Sequence, residues 1–345
     1  MMLWDLCTVQ RCVGTFGHRS AASAEGSATL KGTNMKSFQP TLRRTIDRVV
    51  RGSMFRALSE RDGPATSALI GFLHREHIYQ RLDRLEAMLA SAGSDHVHAP
   101  ALGERVRNLL SLISPMDPVG HHLRRFGRDY DGGYILLGDL LAVDGIAYSF
   151  GISDDVSWDY DLAECGYEVF QYDHTIESLP REHSNFHFHK LGLCASGREA
   201  PPMRSIDQII DNNGHAGKRN MILKIDIEGD EWEVLSTIPS DRLRQFDQIV
   251  VEYHWLDRTY EDSFYATARR ALANIGNLFV PIHVHGNNHY DIKVLGGVAV
   301  PQLIEVSYVR KGLVEMEPCR RTFPTELDQP NKADWPDLYL GSFRF

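Results

Sequence analysis

The sequence predicts an α/β fold: a Rossmann-like sheet of seven strands, mostly parallel with an antiparallel last hairpin, preceded by a helical extension. Three observations predict it. From about residue 101 onward, short apolar runs alternate with helical stretches, the pattern of parallel strands joined by crossover helices. One run, MILKIDIEGDEWEVL (221–235), passes from apolar residues into Asp226, Glu228, Asp230 and Glu231. A buried strand has no place for unpaired carboxylates, so the chain must reach solvent or a cavity at Asp226. Finally, the last two apolar runs are joined by a loop without helical spacing, which makes them an antiparallel pair.

The elements follow in chain order. Residues 1–34 are rich in Ser, Ala, Gly and Thr and lack a secretory leader's apolar core, so they read as a disordered tail or as a start placed too early, with Met35 the true beginning. Residues 35–100 form a helical extension and linker. Leu42, Ile46, Val49, Val50 and Met54 recur at helical spacing among Arg43, Arg44, Arg48 and Arg51. Such a basic amphipathic helix can lie on an anionic membrane, although packing against a domain is its commoner fate. Ile78, Leu82, Leu85 and Leu89 form a short heptad seam that allows homo-oligomerisation through these helices. ASAGSDHVHAP (90–100) reads as a linker. The domain proper, 101–345, opens with a helix over 102–113. Its strands are expected at 145–152, 167–173, 186–193, 221–227, 248–254, 278–285 and 302–310, with a helix from Glu231 to Ile238 stopped by Pro239.

Composition narrows the function. Of 345 residues, 43% are hydrophobic and 24% charged, ordinary for a globular chain with a sizeable core. A net charge of −9 gives no general reason to bind nucleic acid. No apolar run approaches the roughly 20 residues of a transmembrane helix. The five cysteines are scattered, with no CxxC pair, which favours a reducing compartment, hence the cytoplasm, over a disulfide framework or a zinc site.

The chemistry-bearing residues gather at predicted strand ends. The first strand runs into FGISDDVSWD, where Gly151 lets a ligand approach the backbone, flanked by Phe150 and Ser153. A pyrophosphate cradle would need further glycines, and a lone glycine also marks a plain turn. Asp173 ends YEVFQYD, 22 positions after Gly151, where an acid typically holds the ribose hydroxyls of an adenosine cofactor. An N-cap is the alternative for Asp173 alone. In extended chain, Asp226 and Glu228 share a face, as do Glu252 and His254. On neighbouring strands these pairs would converge, with His254 as general base, Asp226 sharing that role and Glu228 beside them. Taken alone, His254 would be an ordinary strand end. Past the sixth strand, IHVHGNNHYD supplies His285, Asn287 and Asn288 as candidate substrate contacts. His283 and His285 close no recognised ligand set, so no metal is expected. His187 and His189 read as the exposed face of a strand. In RRFGRDYDGGYILL (124–137), Asp131, Gly132 and Gly133 make a tight turn, and Arg125 and Arg128 suit a carboxylate or simply solvent.

Together, RFGRDYDGGYILL, AYSFGISDDVSWD, QYDHT, SIDQII, LKIDIEGDEWEVL and IVVEYHW resemble the FkbM-type S-adenosylmethionine-dependent methyltransferases, from about Leu123 to Arg310. The resemblance implies the seven-stranded methyltransferase fold, S-adenosyl-L-methionine as cofactor and, chiefly, O-methylation. It also implies that Gly151 and Asp173 hold the cofactor, with Asp226 beside its methionine end. The expected acceptor is a hydroxyl on a small molecule or carbohydrate. A nicotinamide-dependent oxidoreductase, against which the missing glycines argue, and a non-catalytic scaffold retaining the fold are the alternatives.

Overall fold

The computed structural model describes residues 99–345. The tail, the basic helix, the heptad seam and nearly all of the linker lie outside the described residues. Helix α1 (Pro100–Leu112) begins with proline near its first position, where a missing N–H costs nothing. Its Leu102, Val106, Leu109 and Leu110 recur at steps of about one turn and form the buried face. Strand β1 (Met116–Pro118) precedes a hairpin of β2 (Leu123–Phe126) and β3 (Tyr134–Leu137), whose connection carries the DYDGG turn.

Next come β4 (Ile146–Phe150), helix α2 (Ser157–Glu164), β5 (Glu168–Tyr172) and β6 (Phe186–His189). The predicted third strand breaks after His189, and its remainder becomes β7 (Gly192–Leu193), which pairs with β8 (Met203–Arg204). Helix α3 (Ile206–Asn212) leads to β9 (Met221–Ile225), then α4 (Glu231–Thr237), α5 (Ser240–Leu243) and β10 (Phe246–Tyr253). Helix α6 (Asp262–Gly276) precedes β11 (Phe279–Gly286). The predicted loop after β11 instead folds as a hairpin, β12 (Ile292–Leu295) with β13 (Val298–Pro301), before β14 (Ile304–Arg310) and β15 (Met316–Pro318).

The main sheet is mixed, with seven strands in the order β11-β14-β10-β9-β4-β5-β6. From β6 to β10 neighbours pair in parallel, whereas β14 is antiparallel to both β10 and β11. The parallel strands and the closing hairpin appear where the sequence predicts them. All five residues of β9 are buried, as expected of a central strand covered on both faces. The larger core cluster includes α1, α4 and α6, with Trp232, Phe264 and Leu272; a second cluster joins Trp158 and Leu162 of α2 to Phe126 and Tyr134. His187 and His189 are half-buried, stacked on Phe170 and Tyr172, not on an exposed face. Strand order reverses between β4 and β9, and in open α/β sheets the crevice at such a switch point binds ligands. Among the described residues no helix is long and apolar enough to cross a membrane.

Candidate active site

The site is built on a turn at the carboxyl end of β4. Gly151 has φ +81°, and a Cβ there would lie 1.6 Å from the carbonyl oxygen of Asp226. Only glycine fits, but the reason differs from the one read in the sequence. The neighbouring strand end, not a ligand, occupies the space that a side chain would need. Lys224, buried on β9, donates from Nζ to the Gly151 carbonyl at 2.8 Å. Past the glycine, the N–H groups of Ile152 and Ser153 both donate to Asp173 Oδ2 at 2.9 Å. The Thr175 N–H and hydroxyl donate to Oδ1 at 2.7 and 2.6 Å. Burial alone would raise the Asp173 pKa, yet these four bonds hold it below its ordinary value. Asp173 therefore shapes the glycine turn. Phe150 turns its side chain into the core, stacked on Tyr172 at 5.2 Å, so only its backbone serves this region, accepting the Asp226 N–H at 3.0 Å.

The turn opens on a cavity of about 350 Å³, lined by Gly151 and Ser153, by Asp173, and by Asp226 and Glu228 at the end of β9. Leu193 and Met203 give it an apolar wall. Trp158 also lines it, and its buried indole Nε1 has no hydrogen-bond partner among the described residues. A buried donor left unmade is costly, so a ligand with an acceptor atom suits this space. The volume falls within the range of small-molecule and cofactor sites.

Next to Asp226, and starting with Tyr134, which also lines the cavity, lies a buried polar belt. Tyr134 donates its hydroxyl to Asp226 Oδ2 at 2.9 Å and stands 3.4 Å from Glu252 Oε2. Burial and the surrounding carboxylates raise the Tyr134 pKa well above that of an ordinary phenol, so it remains a donor. Glu252 faces Glu305 across β10 and β14 and accepts from Asn287 Nδ2 at 2.8 Å. Burial, with Asp226 and Glu305 nearby, raises its pKa well above the ordinary carboxyl value.

His254 follows β10 directly, next to the end of β9, because Val251 pairs with Ile225. It is only 3% exposed. Glu231 holds it, accepting the His254 N–H at 2.6 Å and lying 3.2 Å from Nδ1. The Glu231 carboxylate also accepts the Gly229 N–H at 2.8 Å. The sequence places Glu231 at the start of a helix, where negative charge suits the helix dipole, and the fold buries it completely. Its signal was present only as one acid among four. On the other side of the ring, Nε2 is 3.5 Å from Glu228 Oε2 and 3.9 Å from Asp226 Oδ1. Burial disfavours a charged imidazole, but the hydrogen bond and charge of Glu231, aided by Asp226 and Glu228, raise its pKa.

The structure thus brings Asp226, Glu228 and His254 together beside the cavity. It takes the other candidates elsewhere. His285 is buried between Glu305, 3.1 Å from Nδ1, and Asp337, 3.0 Å from Nε2. Asn288 donates to the carbonyls of Lys332 and Trp335, both at 3.1 Å. Both engage the C-terminal segment or its surroundings and line no part of the cavity. Asn287 stands behind Glu252, one step farther from the cavity than expected. Arg125 donates to the Arg128 carbonyl, and Arg128 to that of Asp131, so both brace the turn at 128–133; Arg128 also lines the cavity. Tyr134 is the residue that sequence reasoning missed; it is quoted within the DYDGGYILL stretch, yet nothing local marks it as a partner of Asp226.

Residues 149–279 match the family model described as the Methyltransferase FkbM domain, a narrower span than the resemblance traced above. No curated protein matches the sequence. Among solved structures, the chain is similar to a TehB-like SAM-dependent methyltransferase from Corynebacterium glutamicum, at 12% identity and a TM-score of 0.29, over 69% of this chain and 99% of the other. It is also similar to a "putative hemolysin" from Streptococcus thermophilus, at 11% identity and a TM-score of 0.29, over 56% of this chain and 64% of the other. At that score neither likeness bears on function.

Proposed function

We propose, from the premise that residues 149–279 match a methyltransferase domain, that this protein is an S-adenosylmethionine-dependent O-methyltransferase acting on a hydroxyl of a small molecule or sugar in the cytoplasm. One observation carries the reading: a cavity of about 350 Å³ at the switch point of the sheet, with the glycine turn and Asp173 at one side and Asp226 at the other. When bound, the cofactor supplies a methyl group on a positively charged sulfur. The chain's own residues bind and align. Asp173 and the turn face the ribose, the Thr175 hydroxyl being the partner on Oδ1 that a ribose hydroxyl can replace. Leu193 and Met203 would cover the adenine, and Trp158 Nε1 would offer its unused donor. Asp226 sits at the methionine end, where negative charge suits a sulfonium. Alignment of the acceptor oxygen with the methyl carbon and sulfur supplies much of the rate in such a displacement. His254 takes the acceptor's proton at Nε2 while Glu231 holds Nδ1, and Glu228 orders the rim. The unpaired Cys165, Cys194 and Cys319 fit a reducing compartment.

Calorimetry on the full chain tests the reading. S-adenosylhomocysteine should bind one to one, and NAD should not bind. NAD binding without S-adenosylhomocysteine binding would point to an oxidoreductase, and binding of neither to a scaffold.

A further inference from the structure

Asp226, Glu228 and His254 come from two adjacent strand ends, and one ligand atom of each lies within 4.8 Å of the other two. No other group of three or more His, Cys, Asp or Glu side chains among the described residues is so arranged. The two contacts to Nε2, at 3.5 and 3.9 Å, exceed normal hydrogen-bond length. They are longer than the separation of about 3.0–3.4 Å expected of two atoms each roughly 2.1 Å from one ion, so binding would draw the ligands together. Two of the three atoms are presented by a partner that occupies the other end of the group. Tyr134 takes Asp226 Oδ2, leaving Oδ1 toward the histidine. Glu231 takes His254 Nδ1, leaving Nε2. A carboxylate behind a ligating imidazole is the usual outer shell of a metal-bound histidine. His254 is 3% exposed, and its Nε2 lies 3.5 Å from Glu228 Oε2 and 3.9 Å from Asp226 Oδ1, too far for a hydrogen bond of normal length to either. Glu228 adopts φ +57°, unusual for a residue with a side chain, and its side chain is 85% exposed, free to swing inward.

We propose that Asp226, Glu228 and His254 bind a divalent cation such as Mn²⁺, with its open coordination positions facing the cavity. One imidazole nitrogen and two carboxylate oxygens suit a first-row divalent ion better than a thiolate-seeking one. The proposal deepens the methyltransferase reading and rests on it for its role: a cation at this rim receives the acceptor's oxygen and acidifies its hydroxyl. His254 is then a ligand and no longer the base: in the loaded protein the acidified hydroxyl would give its proton to solvent at the open rim, and Nε2 takes a proton only in the ion-free protein. From the sequence no metal is expected, because His283 and His285 close no ligand set; the present three residues, with His254 26 to 28 positions after the two acids and at another strand end, form no local motif.

The test uses the full chain, stripped with a chelator and titrated with Mn²⁺ by electron paramagnetic resonance and calorimetry, with and without S-adenosylhomocysteine. One ion should bind per chain, showing nitrogen coupling from a single imidazole. Glu228→Gln, a change at an exposed side chain that leaves the fold intact, should weaken Mn²⁺ binding at least about 10-fold. Glu231→Gln, at the residue that holds His254 Nδ1, should weaken it by about 10–100-fold in protein shown by circular dichroism to be folded. No saturable binding, binding without imidazole coupling, or unchanged affinity in Glu228→Gln would each overturn the proposal. S-adenosylhomocysteine binding in a sample that takes up no Mn²⁺ would sink the cation alone. Failure of both ligands would sink the methyltransferase reading as well.

Discussion

His254 and Glu231 form a pair whose charge state is set by burial. A completely buried carboxylate is tolerable because it accepts two backbone N–H groups and faces an imidazole. The same contact raises the histidine pKa, since the charged ring is favoured beside Glu231 more than burial disfavours it. In chelator-treated protein the His254 ring signals should therefore titrate, by NMR, above the ordinary value of about 6.5. Any stability this contributes is fully present below about pH 6.5 and is lost as pH rises through the folded-state value. Glu231→Gln should move the midpoint down, and a midpoint that stays put would remove Glu231 as the cause. Asp173 makes a second residue-scale case. Its carboxylate ties down two N–H groups of the glycine turn and two groups of Thr175, so Asp173→Ala loosens the turn as well as removing an acceptor. S-adenosylhomocysteine affinity should fall by about 1.5–3 kcal/mol, the scale of a lost charge-assisted hydrogen bond. Unchanged affinity in a folded variant would take Asp173 out of the site.

At the scale of elements, the C-terminal segment is the addition that the apolar pattern does not announce. It has few regular hydrogen bonds of its own: β15 pairs with β1, and Phe323 bridges to Gly341. Histidines on β11 and the turn after it anchor the rest. His283 Nε2 meets Asp328 Oδ1 at 2.8 Å, His285 lies 3.0 Å from Asp337, and Asn288 caps the carbonyls near residue 335. Burial would raise the Asp328 pKa, but the charge and hydrogen bond of His283, with His285 nearby, hold it well below the usual carboxylate range. A depressed pKa stabilises the fold above the unfolded value of about 3.9 and loses that contribution as pH falls below it. Asp328→Ala should cost about 3–5 kcal/mol, as expected when one partner of a buried pair is removed. Chemical denaturation at pH 7 measures the loss, which should shrink as pH falls below about 4. A cost under 1 kcal/mol at neutral pH would mean that the segment is held by its apolar contacts.

For the molecule as a whole, the sheet order explains where the chemistry sits. Reversal between β4 and β9 opens a crevice, and the glycine turn, Asp173, Asp226 and His254 all arrive there from strand carboxyl ends. Helix α1 belongs to this body. Its Gly103 packs so closely on Gly296 that a Cβ there would lie 2.2 Å from the Gly296 carbonyl oxygen, and Ala99 accepts the first N–H bonds of the helix. A chain starting at His98 should therefore unfold cooperatively and bind S-adenosylhomocysteine with unchanged affinity, whereas one starting past Ile113 should lose the α1 face of the core. Loss of cooperative unfolding in the His98 chain, followed by circular dichroism, would show that earlier residues complete the core.

The sequence by itself determined the seven strands, their mostly parallel arrangement, the antiparallel last pair and the rim at Asp226. These follow from periodicity and from the cost of burying a carboxylate, both of which are local properties. It also put Asp226 and Glu228 on one face and Glu252 and His254 on another, because alternate residues of a strand share a face, but it left open whether the two strands are neighbours. Tertiary structure alone decided what those groups do to one another. That Gly151 makes room for the Asp226 carbonyl, that Glu231 is buried under His254, and that Tyr134 occupies one oxygen of Asp226 depend on contacts between residues 23 to 92 positions apart. It decided equally that His285 and Asn288 face the C-terminal segment and not the cavity. A histidine or asparagine at a strand end carries the same local signal whether a ligand or another part of the chain lies beyond it, and only the fold chooses which.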